Sequence, residues 1–249
     1  MQATAEKDRD RRFATTLAKG LSILQAFAPG DRALGNRELA RRTGMPPSTV
    51  ARMTFTLTQL GFLQQLKPED SYCLGPAVMA LGYTARARLS FLPTAEVLMQ
   101  DLADQVGALV ALAMRDGQAA MLTRCWRPRN TPTIWLTEGH RLPLERSSPG
   151  RAILAARKSA PTDPASVRDD RATLQSKGFL TSVGGWNENV NACAVPFWPD
   201  PSQEPAAFLC GAHEDVLPEA QLNSTVGPLL LARVRELERK LGISELRPL

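Results

Sequence analysis

No stretch of this 249-residue chain approaches the roughly 18 consecutive apolar residues that a membrane-spanning helix requires. Its opening, MQATAEKDRDRR, is polar where a secretory leader needs an apolar run, so a cytoplasmic protein without membrane attachment is expected. Cysteine is scarce: Cys73, Cys125, Cys193 and Cys210 lie far apart, with no C-x-x-C spacing to bring two thiolates to one metal or one redox pair. They read as free thiols. Histidine is scarcer still. His140 and His213 are too distant in sequence to form a local metal-ligand pair, and they are a thin supply for general-base chemistry. A cysteine nucleophile would want a positioned histidine, yet in AAFLCGAH the three-residue spacing of Cys210 and His213 sends them to opposite faces of a strand. The G-x-S-x-G signature of hydrolases is absent as well. These absences leave no expected catalytic residue, metal site or cofactor. Internal repeats and low-complexity tracts are also missing.

What is present is an ordinary globular composition, 43% hydrophobic and 22% charged, long enough for two unequal domains. Net charge is +5, and it is unevenly spread: residues 1–75 hold 11 Lys/Arg against 7 Asp/Glu, whereas residues 76–249 hold 19 against 18. A local basic surplus suits phosphate neutralisation, although a tail such as KDRDRR supplies it without binding anything.

After a charged tail over residues 1–14, a helix over 15–27 carries the stripe Leu17, Leu21, Leu24 and Phe27, and Pro29-Gly30 ends it. Asn36 is placed to cap a short second helix with Leu39 and Ala40 inward and Gly44 closing it. Met45-Pro46-Pro47-Ser48 makes a tight turn into a third helix over 48–60, whose inner face reads Val50, Met53, Leu57 and Leu60. Two alternating runs, 62–66 and 72–74, form a hairpin. This order of elements is that of a winged helix-turn-helix over 15–75. A linker over 76–92 holds a helix at 76–89 with Val78, Leu81 and Ala85 in register. The remainder, 93–249, opens with a helix at 94–106 whose inner face is Val97, Leu98, Leu102 and Val106. Strand-like runs follow at 108–114, 119–125, 133–136, 191–198 and 206–213, with helices at 149–156, 169–177 and 218–241. Helices flanking a largely antiparallel run of strands predict an α+β domain.

In a helix-turn-helix the first residues of the second helix enter the major groove, where Ser and Thr reach phosphates or base edges and Arg binds guanine bidentately. Ser48, Thr49 and Arg52 sit at such a start and share one helical face. The same residues also suit plainer roles, Ser48 as an N-cap and Arg52 as a solvated charge. A single reading helix reads few bases, so a homodimer or dimer of dimers on a pseudo-palindromic duplex is expected.

The strings KGLSILQAF (19–27), RELARRTGMPPSTVARMTFTLTQLGFL (37–63) and YCLGPAVMALG (72–82) resemble the DNA-binding region of the IclR family of transcriptional regulators. EGHRLPLERSSPGRAILAA (138–156) and NACAVPFW (191–198) resemble its second domain less tightly, with Arg151 at a position where that pattern carries lysine. The resemblance implies an N-terminal winged helix-turn-helix and a C-terminal GAF-like α/β effector-binding domain. It implies that Ser48, Thr49 and Arg52 read DNA, that Arg41 and Arg42 approach the phosphate backbone, that Lys67 lies at the wing tip, and that the 76–89 helix serves dimer formation. It also implies a pocket for a small organic acid lined by Ile134, Leu142, Ser148, Pro149, Val190, Ala192, Cys210 and Ala212; in the segment Ser147-Ser148-Pro149-Gly150 the serine hydroxyls and the Gly150 N–H are expected to hold the carboxylate. Small carboxylates want hydroxyls and free N–H groups at the pocket base; this chain has Cys210 and Ala212 there, and Pro149 removes a donor. With Trp135 and Trp186 in adjacent segments, an aromatic or bulkier acid is favoured over a two- or three-carbon one. The expected function is that of a sequence-specific DNA-binding regulator modulated by this effector. An architectural DNA-binding protein would have no use for about 160 residues of α+β domain.

Overall fold

A computed structural model describes residues 12–67, 71–200 and 204–243. The chain divides into two compact units, meeting between Arg88 and Leu89. Most of the expected tail, and the turn at 68–70 between the hairpin strands, lie outside the described residues. Among the described residues no helix is long and apolar enough to cross a membrane.

The first unit runs α1 (Thr15–Gln25), β1 (Leu34–Gly35), α2 (Asn36–Thr43), α3 (Pro47–Gln59), β2 (Leu63–Leu66), β3 (Ser71–Leu74) and α4 (Pro76–Ala87). Ile23, Leu34, Leu39, Val50, Leu57, Leu63 and Tyr72 make its core. Gly44, at φ 68, closes α2 in the left-handed region that a Cβ disfavours. Pro47 opens α3 where its missing N–H costs nothing. The hairpin is a three-stranded antiparallel sheet of order β1-β3-β2, because Leu34-Gly35 pairs with Ser71-Tyr72; so short a strand leaves no periodicity to detect in sequence.

Packing departs from the expected stripes in two places. Gly20 and Ile23 are the buried residues of α1, while Leu17 and Leu21 are exposed. Gly20 faces the Met53 sulfur, and with no side chain there the helix turns that bare side toward α3. Asn36 is the first residue of α2 rather than its cap; its Oδ1 accepts from the Thr54 hydroxyl at 3.2 Å, bracing α2 against α3. Thr54 takes the inward position expected of Leu60, because its hydroxyl is satisfied by the Val50 carbonyl at 3.1 Å, and Leu60 is exposed.

The second unit runs α5 (Leu92–Val106), β4 (Leu109–Asp116), β5 (Ala119–Trp126), β6 (Arg141–Pro143), α6 (Ser148–Ala156), α7 (Ala165–Lys177), β7 (Leu180–Val183), β8 (Val190–Phe197) and β9 (Ala206–His213). A helical turn α8 (Glu219–Gln221) and a π-helical segment (Leu222–Val226) then lead into α9 (Gly227–Leu241), so the expected continuous last helix is interrupted. The six strands are antiparallel in the order β6-β5-β4-β9-β8-β7. Val110, Leu112, Cys193, Val195, Phe197, Phe208, Cys210 and Ala212 pack with α5 and α9. Leu109, Ala111, Ala113, Ala194, Ala207 and Leu209 pack on the other side with α6 and Leu174 of α7. Helices thus cover both faces of an antiparallel sheet, the α+β arrangement expected.

TIWL at 133–136 is not a strand: Ile134 and Leu136 turn inward from an irregular segment, and Trp135 is 86% exposed. In α5, Leu98 and Leu102 are buried as expected, but Val97 is exposed and Met99 takes an inward place. Strands β6 and β7, too short for an alternation signal, are the two sheet edges.

Candidate nucleic-acid interface and ligand pocket

Val50, Thr54 and Leu57 point α3 into the core, which turns Ser48 and Arg52 to solvent on the opposite side. Thr49 is half-buried. Among the described residues nothing pairs with the Arg52 guanidinium. Arg42 is different. It bonds Asp31 at 2.5 Å, Glu38 at 2.7 Å and the Ala26 carbonyl at 3.0 Å, so its guanidinium ties α2 to the loop after α1. Arg41 also grips Glu38, at 2.8 and 2.5 Å, while remaining exposed. These two guanidinium groups hold the Glu38 carboxyl down to about 2. Lys67 is exposed at the end of β2. Beside this surface, Leu17, Leu21, Leu24, Met53, Leu60 and Phe62 line an apolar groove of about 470 Å³ between α1 and α3. Sequence reasoning passed over Ala51 and Phe55, which are exposed on the outer side of α3.

In the second unit the expected pocket residues divide between the two faces of the sheet. Leu142 and half-buried Ile134 pack with α6, and the start of that helix is Ser148, Pro149 and Gly150, all buried. Ala194 shares that face, and period-two alternation places Val190 and Ala192 with it. Cys210 and Ala212 do not belong: both point to the α5 and α9 side, where Cys210 is paired in register with Cys193. They are withdrawn from the pocket. Their even positions on β9 oppose odd positions on β8, so the residue on the pocket side across from Ala192 is Gly211. A Cβ on Gly211 would lie 3.1 Å from the Ala192 Cβ, closer than side chains ordinarily approach, so this crossing of β8 and β9 is held to small residues. Ser182, buried on β7 and registered with Ala192, completes that row, and Trp186 packs against the same cluster. Ser182 and Gly211 were legible only through strand register, which depends on pairing.

The first turn of α6 is tightly specified. Ser147 caps it: its N–H and its hydroxyl both donate to the Pro143 carbonyl, at 3.0 and 2.7 Å, and its hydroxyl oxygen accepts from the Gly150 N–H at 3.3 Å. That N–H is therefore spent inside the fold, which corrects the expectation that it is offered to a ligand. Ser148 is left. It is 1% exposed and its Oγ is buried with no hydrogen-bond partner among the described residues. A buried hydroxyl without a partner costs about 1–3 kcal/mol, so the position favours an acceptor arriving from outside the chain. The helix N-terminus beside it favours a negative one. Arg151, one turn on, bonds Asp170 of α7 through Nε at 2.9 Å and through Nη2, and the Thr181 carbonyl of β7 through Nη1 at 3.1 Å. Arg146 bonds the Gly185 carbonyl at 3.0 Å.

Burial pushes the Cys125 and Cys193 thiols up to about 12 and raises Cys210 as well, so all three stay protonated and unreactive.

Comparison with known proteins bears on both units. The model of the IclR helix-turn-helix domain matches residues 16–67, and that of the bacterial transcriptional regulator IclR C-terminal domain matches residues 84–176. The HTH-type transcriptional regulator TsaQ1/TsaQ2 of Comamonas testosteroni is 27% identical over 245 residues, covering 91% of this chain and 88% of that protein. The crystal structure of an IclR family transcriptional regulator from Brucella abortus shares 33% identity, with a TM-score of 0.76 over 94% of this chain and 95% of that one. An IclR homologue from Microbacterium hydrocarbonoxydans, crystallised with 4-hydroxybenzoate, shares the fold at 19% identity and a TM-score of 0.69, covering 92% of this chain and 97% of that one.

Proposed function

The chain belongs to the IclR family of bacterial transcriptional regulators, and from that membership we propose that it grips or releases double-stranded operator DNA according to a small organic acid held beside Ser148. The observation that carries the effector reading is the Ser148 hydroxyl, buried and unpartnered at the first turn of α6. A carboxylate accepts from it, and the helix N-terminus adds favourable charge. Leu142, Ile134 and Val190 offer apolar walls and Trp186 an aromatic one, while Pro149 contributes no N–H, so a ring-bearing acid suits the site better than a two-carbon acid. With Cys210 and Ala212 withdrawn, this preference rests on those walls.

The test is thermal unfolding of the full chain with aromatic and short aliphatic acids; 4-hydroxybenzoate is one aromatic acid to include. A ligand at about 100 times its dissociation constant adds about 2.7 kcal/mol of stability. Ser148→Ala is expected to weaken that ligand about tenfold, since a hydrogen bond to a charged group contributes about 1.5–3 kcal/mol. A shift from short acids alone would refute the aromatic preference, and no shift from any acid would refute the effector site.

On the DNA side, Ser48, Thr49 and Arg52 serve as base or phosphate contacts, with Arg41 and Lys67 on the backbone. Arg42, spent on Asp31 and Glu38, braces α2. Arg52→Ala is expected to cost specific binding about 1–3 kcal/mol, whereas Lys67→Ala weakens all sequences alike and flattens the salt dependence. Equal losses of specific and nonspecific affinity in both variants would reduce Arg52 to a phosphate contact.

We assign the α4 surface to a second copy of the chain. None of its residues is buried, Met79, Leu81 and Tyr83 are exposed, and a lone 12-residue helix is marginal in water. The apolar groove between α1 and α3 extends that surface, since Ala77 touches Gly61 next to Leu60 and Phe62. Sedimentation of a strict monomer, free and on DNA, would contradict the dimer.

A further inference from the structure

The outer face of α3 carries a side chain that neither the core nor simple solvation explains. Phe55 is 65% exposed, on the side of the helix away from Val50, Thr54 and Leu57. At 100° per residue it falls between Ser48, Ala51, Arg52 and Gln59, the residues turned furthest from the core. The whole of α3, PSTVARMTFTLTQ, contains no acidic residue, and Arg52 is its only charge. A face with one cation, hydroxyls, no anion and an apolar patch suits a polyanion that itself presents an apolar group. The major groove of DNA does so at one place only, the C5-methyl of thymine.

We propose that Ala51 and Phe55 read a thymine methyl in the operator, making Phe55 a specificity-determining residue alongside Arg52. The assignment rests on the DNA-binding reading of α3. Phe55 lies three residues after Arg52, about 4.5 Å along the helix axis, between one and two base-pair steps of about 3.4 Å. The thymine therefore lies within two base pairs of the base that Arg52 reads, once in each half-site.

The experiment begins with the full-length chain selecting duplexes from a random-sequence library at fixed salt. Each thymine of the selected site is then replaced singly by deoxyuridine, which deletes the methyl and leaves every hydrogen-bonding group in place. One thymine per half-site is expected to show about a fourfold loss on conversion to uracil, the worth of one buried methyl. Phe55→Ala is expected to lose most of the difference between the thymine and uracil sites, keeping only what Ala51 supplies, and Phe55→Leu to retain more of it. Nonspecific affinity should not change in either variant, and since Phe55 is outside the core both should fold.

If no thymine is sensitive in a site the wild type selects, or if Phe55→Ala keeps the thymine-to-uracil ratio, the assignment fails while the DNA-binding reading stands. If Phe55→Ala keeps that ratio and loosens self-association instead, Phe55 is a protein contact. A chain that enriches no sequence overturns both readings.

Discussion

Replacing Gly150 by alanine is expected to destabilise the C-terminal unit by about 3 kcal/mol, the upper part of the range for overpacking a closed site. Alanine is ordinarily the better residue inside a helix, by about 0.5–1 kcal/mol, so propensity alone predicts the opposite sign. Packing decides against it. A Cβ at this position would lie 2.2 Å from the Leu144 carbonyl oxygen and 2.6 Å from the Leu144 Cα, and these are backbone atoms that no rotamer change can move aside. Nor can the helix start retreat, because Ser147 is anchored to Pro143 through both its N–H and its hydroxyl. Thermal unfolding is the measurement, with a drop of about 6–12 °C expected for a domain of this size. A variant as stable as the wild type would mean that α6 does not sit against residues 143–144, and the Ser148 site would lose its geometry with it.

Asp170→Ala is expected to cost about 3 kcal/mol, by a different route. Asp170 is buried, and it holds the partly buried Arg151 guanidinium through two bonds. Deleting the carboxylate strands the cation between α6, α7 and β7, with only the Thr181 carbonyl to face it. The charge pair itself contributes less than its loss suggests, since desolvation offsets most of the attraction. Arg151→Met combined with Asp170→Leu should therefore recover much of the stability that Asp170→Ala loses. Denaturant unfolding of the wild type, Arg151→Met, Asp170→Leu and the double variant makes a complete cycle and gives the coupling directly. Additive losses would show that the two residues do not act as a pair. Arg151 follows Ser148 by one turn, so Asp170→Ala should also weaken any acid that the Ser148 hydroxyl binds, at a site it does not touch.

Where side-chain chemistry acts over one or two turns, the sequence was informative. Gly44 ending α2, Pro46 and Pro47 at the start of α3, the apolar positions Val50 and Leu57, and the exposure of Ser48 and Arg52 all follow from steric and periodic rules that operate within a few residues. The chemistry of α3, cationic and free of acid, is likewise a property of thirteen consecutive residues.

Other features depended on partners far away in the chain. Arg42 and Arg41 are neighbours of the same chemistry, yet Asp31 and the Ala26 carbonyl tie Arg42 to the loop after α1, whereas Arg41 bonds Glu38 of its own helix. Cys210 and Ala212 were assigned to the pocket, but which side of β9 meets α6 is set by its register with β4 and β8, and a one-residue difference sends each side chain to the opposite face. Sequence alone determined the order of elements, the family of the chain and the reading face of α3, because those rest on local periodicity and motif spacing. Only the tertiary structure decided which side chains of β9 pack against α6, that the Ser148 hydroxyl is left without a partner among the described residues while the Gly150 N–H is bonded to Ser147, and that Arg42 braces α2, because each follows from the packing of the folded chain.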